Sequence, residues 1–397
     1  MAERGNRFLL LFGLANAGGV VAYVPFLTLL LPAKIALLAG DARIEWLGAL
    51  TLAGALAASA GNIAFGWASD LFGTRRLWAA AGLCLTMLSY AFLHAASTPP
   101  QVLAAIIFYQ LALNMLLSPL VAWAADVVPD RRKGLLGGLT GAGPPIGALA
   151  GVAATMPFLT QEWMRLTVIC LLVCLLTAPL LLSRPNPPAE APAAATQQER
   201  PRGARTDFAL LWAARLLVQV AGNLMFAFLL YYFSSLSDAP SQAEVARLTA
   251  LALLVAFPIA LASGRISDRV GRRRPFVAAA AAIAAIGLAV MATQTHFVAA
   301  AAGYALFACA GSVFLALHSG YSMQLLPSPG RRGRDLGILN LANTLPAIVA
   351  PVLAVWLVPG RGFGPLLMVL AGLIALGGLA VLLVSRDEPG SHQSSAR

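Results

Sequence analysis

Charge is what this chain has least of. Asp, Glu, Lys and Arg make up 11% of its 397 residues, where a soluble domain carries about a quarter, so a water-facing surface cannot be assembled around it. The four cysteines, Cys84, Cys170, Cys174 and Cys309, all fall within apolar stretches. They read as small packing residues, and neither a disulfide framework nor a metal site follows from them. His94, His296 and His392 stand isolated near loops or ends. The chain has no nucleotide-phosphate loop, no HExxH helix and no acid-base pair at a common depth. These absences exclude the familiar routes to metallohydrolase and nucleotide chemistry. No enzyme and no cofactor is expected.

What fills the chain is hydrocarbon: 59% of the residues are hydrophobic. Roughly 20 apolar residues cross a bilayer as a helix, and twelve such runs are expected near 8–31, 45–68, 77–96, 101–124, 135–159, 164–183, 208–235, 243–264, 276–295, 297–323, 336–358 and 365–385. None alternates apolar with polar as barrel strands do. The fold class is therefore an all-α integral membrane protein with twelve transmembrane helices. The first run continues to about Leu31, too long for a cleaved signal, and is kept as a span.

The formal net charge of +11 follows the loops. With the first residues in the cytoplasm, 21 of the 27 Lys and Arg residues fall on the cytoplasmic side. Only Lys34, Arg43, Arg165, Arg247 and Arg361 fall outside, and Arg215 lies within a span. This is the positive-inside pattern. It predicts a multi-pass inner-membrane protein with both termini cytoplasmic, its basicity owed to topology and not to a nucleic-acid partner.

The chain also repeats. "GWASDLFGTRR" from Gly66 returns as "GRISDRVGRRR" from Gly264, with Gly66, Ser69, Asp70, Gly73, Arg75 and Arg76 matched by Gly264, Ser267, Asp268, Gly271, Arg273 and Arg274. The offset is half the chain. A second echo sets Pro129, Arg131, Arg132 and Gly137 against Pro327, Arg331, Arg332 and Gly337. Between the halves, residues 184–207 are rich in proline, alanine and charge, as a linker is. The expected organisation is a six-helix bundle over 1–183, the linker, a second bundle over 208–385 and a tail over 386–397.

On these motifs the chain resembles the major facilitator superfamily. That family's signature is a glycine, three residues, an aspartate, a basic residue, any residue, a glycine and a basic pair. "GRISDRVGRRR" follows it closely, whereas "GWASDLFGTRR" has Leu71 in place of the basic residue and Thr74 before the pair. The resemblance implies two pseudo-symmetric bundles rocking about a central cavity, with a lipid bilayer around them and a small-molecule substrate inside. It also implies a cytoplasmic gate at Gly66, Asp70, Gly73, Arg75, Arg76, Asp268, Gly271, Arg273 and Arg274. The arginines serve equally well as headgroup anchors. Asp126 is a candidate partner for the Arg75 pair. "GAGPPIG" around Gly143, Pro144 and Gly147 resembles the glycine-proline motif of drug/proton antiporters, with Leu139 and Ala148 where glycines are expected. Close helix packing explains the same glycines.

Polar residues inside spans are costly in lipid and mark a candidate pathway: Asn16, Asn62, Tyr109, Gln110, Asn114, Arg215, Gln219, Asn223, Asn340 and Asn343. Gln110 with Asn114, and Gln219 with Asn223, each share a helix face. No carboxylate lies at a span's midplane. Proton coupling would fall to His318, or to Asp126 or Glu45 at span ends; otherwise the chain is a uniporter. The resulting expectation is a monomeric secondary transporter, symporter or antiporter, leaning to proton-coupled efflux of amphiphilic or drug-like compounds. The alternative is an importer or facilitator of a sugar, nucleoside, peptide fragment or organic anion, and a sensor or membrane enzyme is the least supported class.

Overall fold

The computed structural model describes residues 2–128, 133–183, 204–324 and 332–385. Most of the expected linker, the tail from residue 386, and Pro129 to Arg132, Pro327 and Arg331 of the second echo lie outside the described residues. The helices run in the order α1 (Ala2–Pro25), a π-helical turn (Phe26–Leu30), α2 (Leu31–Ala39), α3 (Arg43–Phe72), α4 (Arg75–Ala95), α5 (Pro99–Val127), α6 (Lys133–Gly141), α7 (Gly143–Ala154) and α8 (Glu162–Leu182). Then come α9 (Ala204–Ser234), α10 (Gln242–Val270), α11 (Arg274–Thr293), α12 (Phe297–Gln324), α13 (Arg332–Leu357) and α14 (Phe363–Leu382). No strand occurs among the described residues.

Among the described residues, ten helical segments are long and apolar enough to cross a membrane. The first, Arg7–Phe72, holds two expected spans, divided where Gly40 takes a φ of 54° and a short 3-10 turn, Gly40–Ala42, reverses the chain. α13 contributes a further apolar stretch, Leu341–Leu357. Two differences from the sequence reading have a local cause in proline. Span 1 does not stop at Leu31: Pro32 sits in the first turn of α2, where its missing N–H costs nothing, and the helix runs on to Ala39. Span 5 is two helices, because Pro144 and Pro145 cannot continue the hydrogen-bond ladder across Ala142. Outward-facing leucines such as Leu175, 69% exposed, and Leu37, 87% exposed, would be a liability in water and suit a surface bathed in lipid.

By contact the chain falls into two compact units. One takes Met1–Pro192, Phe226–Ser235 and Pro240–Leu251; the other takes Ala193–Met225, Leu236–Ala239 and Ala252–Arg397. In the first unit α1 packs on α7 and α8, while α5 packs on both α3 and α4. In the second, α11 packs on α12 and α14. Glycines set the closest approaches. A Cβ on Gly82 of α4 would run into the backbone of Leu116 on α5, and one on Gly287 of α11 would lie 2.6 Å from the Gly303 carbonyl of α12. With no hydrophobic drive between helices in lipid, such close van der Waals contact is what holds a bundle together. Gly82→Ala should therefore lower stability by about 1–3 kcal/mol, read as a fall in the detergent melting temperature. Gly372→Ala on α14, with open space around it, should leave that temperature unchanged or raise it slightly.

Candidate functional site

α9 carries a polar stripe. Arg215, Gln219 and Asn223 recur every four residues and are partly exposed, whereas Ala214, Val218 and Ala221 away from that stripe are buried. A helix in a bundle keeps such a stripe away from hydrocarbon by turning it toward polar neighbours. Arg215 Nε donates to Asn343 Oδ1 of α13 at 2.7 Å, and its Nη1 donates to Ser319 Oγ of α12 at 3.0 Å. The same Nη1 lies 3.4 Å from His318 Nδ1, and Gln219 Nε2 donates to Asn343 Oδ1 at 3.2 Å. His318 is fully buried and stacked on Phe314. Its Nε2 lies 2.8 Å from the Leu211 carbonyl, which can only accept, so Nε2 carries the proton. Nδ1 is then the acceptor for Arg215 and for Ser322 Oγ at 3.2 Å. Four of the residues singled out in the sequence, Arg215, Gln219, His318 and Asn343, thus form one cluster in the second unit. Asn223 stands one turn away, its Nδ2 donating to the Gln219 carbonyl at 2.9 Å. Ser319 and Ser322 were missed; their only sequence signal was proximity to His318. The side chain of Asn340 lies outside the described residues.

In the first unit the polar residues disperse. Asn114 Nδ2 donates to the Gln110 carbonyl at 2.8 Å, repeating the α9 geometry. Both side chains lie against α3, where Gly54 and Gly61 leave room for them. Asn62 is exposed, and its carbonyl accepts from Ser118 Oγ at 2.8 Å. Asn16 lies beside Gly143, and Gly143 and Gly147 of α7 pack on Val20 and Val24 of α1, with Pro144 opening α7. Tyr109 is buried and donates to the Ala22 carbonyl at 2.9 Å, together with Tyr90, for which the sequence offered no signal.

The signature motifs occupy helix ends. Gly73 and Gly271 end α3 and α10 with φ of 61° and 73°, a left-handed conformation that side chains resist. Gly66 admits Ser118 of α5 against α3. Arg75 contacts three acceptors on three sides: Nη1 donates to Ser69 Oγ at 2.8 Å, Nη2 pairs with Asp70, and Nε donates to Asp126 at 3.1 Å. The ends of α3, α4 and α5 are thereby joined. Arg76 carries no such link in the bonds described. In the second unit Arg273 reaches Gly320 of α12, and Arg274 Nη1 donates to the Val384 carbonyl beyond α14 at 2.6 Å. The Asp268 side chain lies outside the described residues. Glu45 is exposed in the first turn of α3.

A further cluster escaped sequence reading because its members lie far apart in the chain. Lys34 of α2, taken for a loop residue, is largely buried and pairs with Glu162 at 3.0 Å. It also donates to the His94 carbonyl, and His94 Nδ1 lies 3.4 Å from Glu162. Nearby, carbonyls of the broken span 1 are met by side chains: Val24 by Thr28, Leu29 by Gln242 Nε2 at 2.8 Å, and Pro32 by Tyr231 at 2.9 Å. Tyr231 is buried at this contact.

A family model described as Major Facilitator Superfamily matches residues 8–238 and 211–397, the whole of the chain beyond its first seven residues. The chain belongs to that superfamily. As a facilitator it is a secondary membrane transporter and not an enzyme. Solved structures agree on the fold. A bacterial homolog of the human lysosomal transporter Spinster, inward-facing and unoccupied, shares 16% identity over 96% of this chain and 95% of its own, with a TM-score of 0.67. A D-xylose-proton symporter shares 16% over 96% and 97%, TM-score 0.68. The human organic anion transporter MFSD10 (TETRAN) shares 17% over 95% and 99%, TM-score 0.63. No curated protein sequence matches this facilitator.

The three-sided contacts of Arg75 separate a tie between helices from a headgroup anchor. Arg75→Lys keeps the charge but has no fork with which to serve Ser69, Asp70 and Asp126 together. It should cost about 1 kcal/mol, seen as a lower melting temperature. An unchanged temperature would mean that the positive charge alone matters.

Proposed function

We propose that this facilitator carries a small organic solute across the inner membrane by alternating access, as a monomer with both termini cytoplasmic. The observation that carries the reading is the α9 stripe. Arg215, Gln219 and Asn223 share one face of α9 and remain partly exposed there. Asn343 extends the stripe onto α13, and Asn340 shares that helix. These groups form the solute contacts, with Asn16, Asn62, Tyr109, Gln110 and Asn114 as candidates in the other unit. The Arg75–Asp70–Asp126 tie and its counterpart at Asp268, Gly271, Arg273 and Arg274 act as the cytoplasmic gate. Proton coupling runs through His318, inside the α9 cluster, or through Asp126 or Glu45.

Proton-coupled efflux of amphiphilic compounds is favoured by the antiporter-like motif at Gly143–Gly147. A second reading, uptake or facilitated passage of a hydroxyl-rich solute, is favoured by the amides of Gln219 and Asn343, which suit hydrogen bonding to such groups. Purified protein in liposomes, offered a mixed panel of metabolites and drug-like amphiphiles with and without an imposed pH gradient, separates these outcomes. Efflux coupling predicts that an amphiphile accumulates only while the gradient lasts. Passage that merely equilibrates and ignores pH removes proton coupling, and flux no faster than in protein-free liposomes removes the transport assignment for the panel.

A further inference from the structure

Lys34, Arg75 and Arg215 are among the cations of the described helices that are drawn into the protein rather than left to the headgroups. Two of them have carboxylates. Lys34 pairs with Glu162, and Arg75 with Asp70 and Asp126. Arg215, about three turns inside α9, does not. Its partners are an amide oxygen, a hydroxyl and a neutral imidazole nitrogen, and no carboxylate reaches it among the described residues. A guanidinium is always charged, and neutral acceptors compensate it only in part inside a membrane protein.

The geometry shows which edge is left. Nε and Nη1 are held by Asn343, Ser319 and His318, which come from α13 and α12 and fix the plane of the guanidinium. Nη2 makes no hydrogen bond among those described. His318 is itself fixed, its Nε2–H committed to the Leu211 carbonyl, so Nδ1 is held as an acceptor facing the arginine. Gln219, sharing Asn343 Oδ1 with Arg215, and Asn223 add amides along the same partly open face.

From this we infer that the solute carries an anionic group, a carboxylate or phosphate, which supplies the missing counter-charge to Arg215 at its Nη2 edge while the α9 amides take its neutral part. The inference rests on the transport reading and narrows its solute class. It makes His318 a positioning residue for the arginine.

The test uses the full-length purified protein in neutral detergent and reads thermal stabilisation, which needs no transport. The probes are matched aromatic and sugar skeletons bearing a carboxylate, a phosphate, an uncharged amide or hydroxyl, or an amine. At least one anionic member should stabilise the wild type, with its uncharged and cationic counterparts at least tenfold weaker. Arg215→Gln should abolish that preference and Arg215→Lys should retain part of it. Uncharged members binding as well as anionic ones, or no anion-dependent shift at all in the wild type, overturns the inference without recourse to any variant. So does an Arg215→Gln protein that binds anions as the wild type does. Phosphatidylglycerol nanodiscs provide the lipid arm: an Arg215-dependent shift there, with none from soluble anions, assigns the site to a headgroup and overturns the solute class. Liposome flux keeps the two readings apart. Arg215-independent flux of an uncharged solute leaves transport standing and removes the anion, while anion binding without flux does the reverse.

Discussion

A backbone carbonyl left bare in hydrocarbon costs several kcal/mol, and much of this molecule is arranged around that cost. Pro25 has no N–H to give, and Leu31 N–H reaches back five residues to the Phe26 carbonyl, the mark of a π-helical turn. Along this broken stretch Ala22 is met by Tyr90 and Tyr109, Val24 by Thr28, Leu29 by Gln242 and Pro32 by Tyr231. Two of the largest buried polar side chains of the first unit, Tyr90 and Tyr109, are thus accounted for by one carbonyl. The ends of α9 and α10 join the first unit through the same carbonyls.

The two halves began from one pattern and have diverged where chemistry is involved. Gly73 and Gly271 keep the same turn conformation. Ser69, however, accepts from Arg75, whereas the Ser267 hydroxyl at the matching position is buried without a partner. Asp126 has Gln324 opposite it at the repeat offset. The acid that completes the Arg75 tie is therefore absent from the second copy's sequence, and Arg215, a partly buried cation of the second half, stands among neutral partners. The repeat preserved turns and exchanged charges.

Composition was enough to identify a helical membrane protein, because apolar length and the positive-inside bias act through the bilayer and not through tertiary contacts. The half-chain repeat likewise pointed to the superfamily. Spacing by four brought Arg215, Gln219 and Asn223 onto one face, since that periodicity is local. What spacing could not convey was depth and partnership across distant segments. Lys34 reads as a loop lysine until Glu162, 128 residues later, is seen beside it. Spacing puts Gln110 and Asn114 on one face, but it could not tell that Gly54 and Gly61 of α3 lie against them. The continuation of span 1 through Pro32 was hidden because proline is tolerated in a helix's first turn.

The π-helical turn at Phe26–Leu30 also stores a choice of register. An α-helix turns about 100° per residue. Restoring four-residue bonding there would therefore swivel α2, and Lys34 with it, through about that angle while α1 stays seated on α7 and α8. Span 1 is in this sense two rods: one seated on α7 and α8, the other held at Lys34 by Glu162 and at the Pro32 carbonyl by Tyr231.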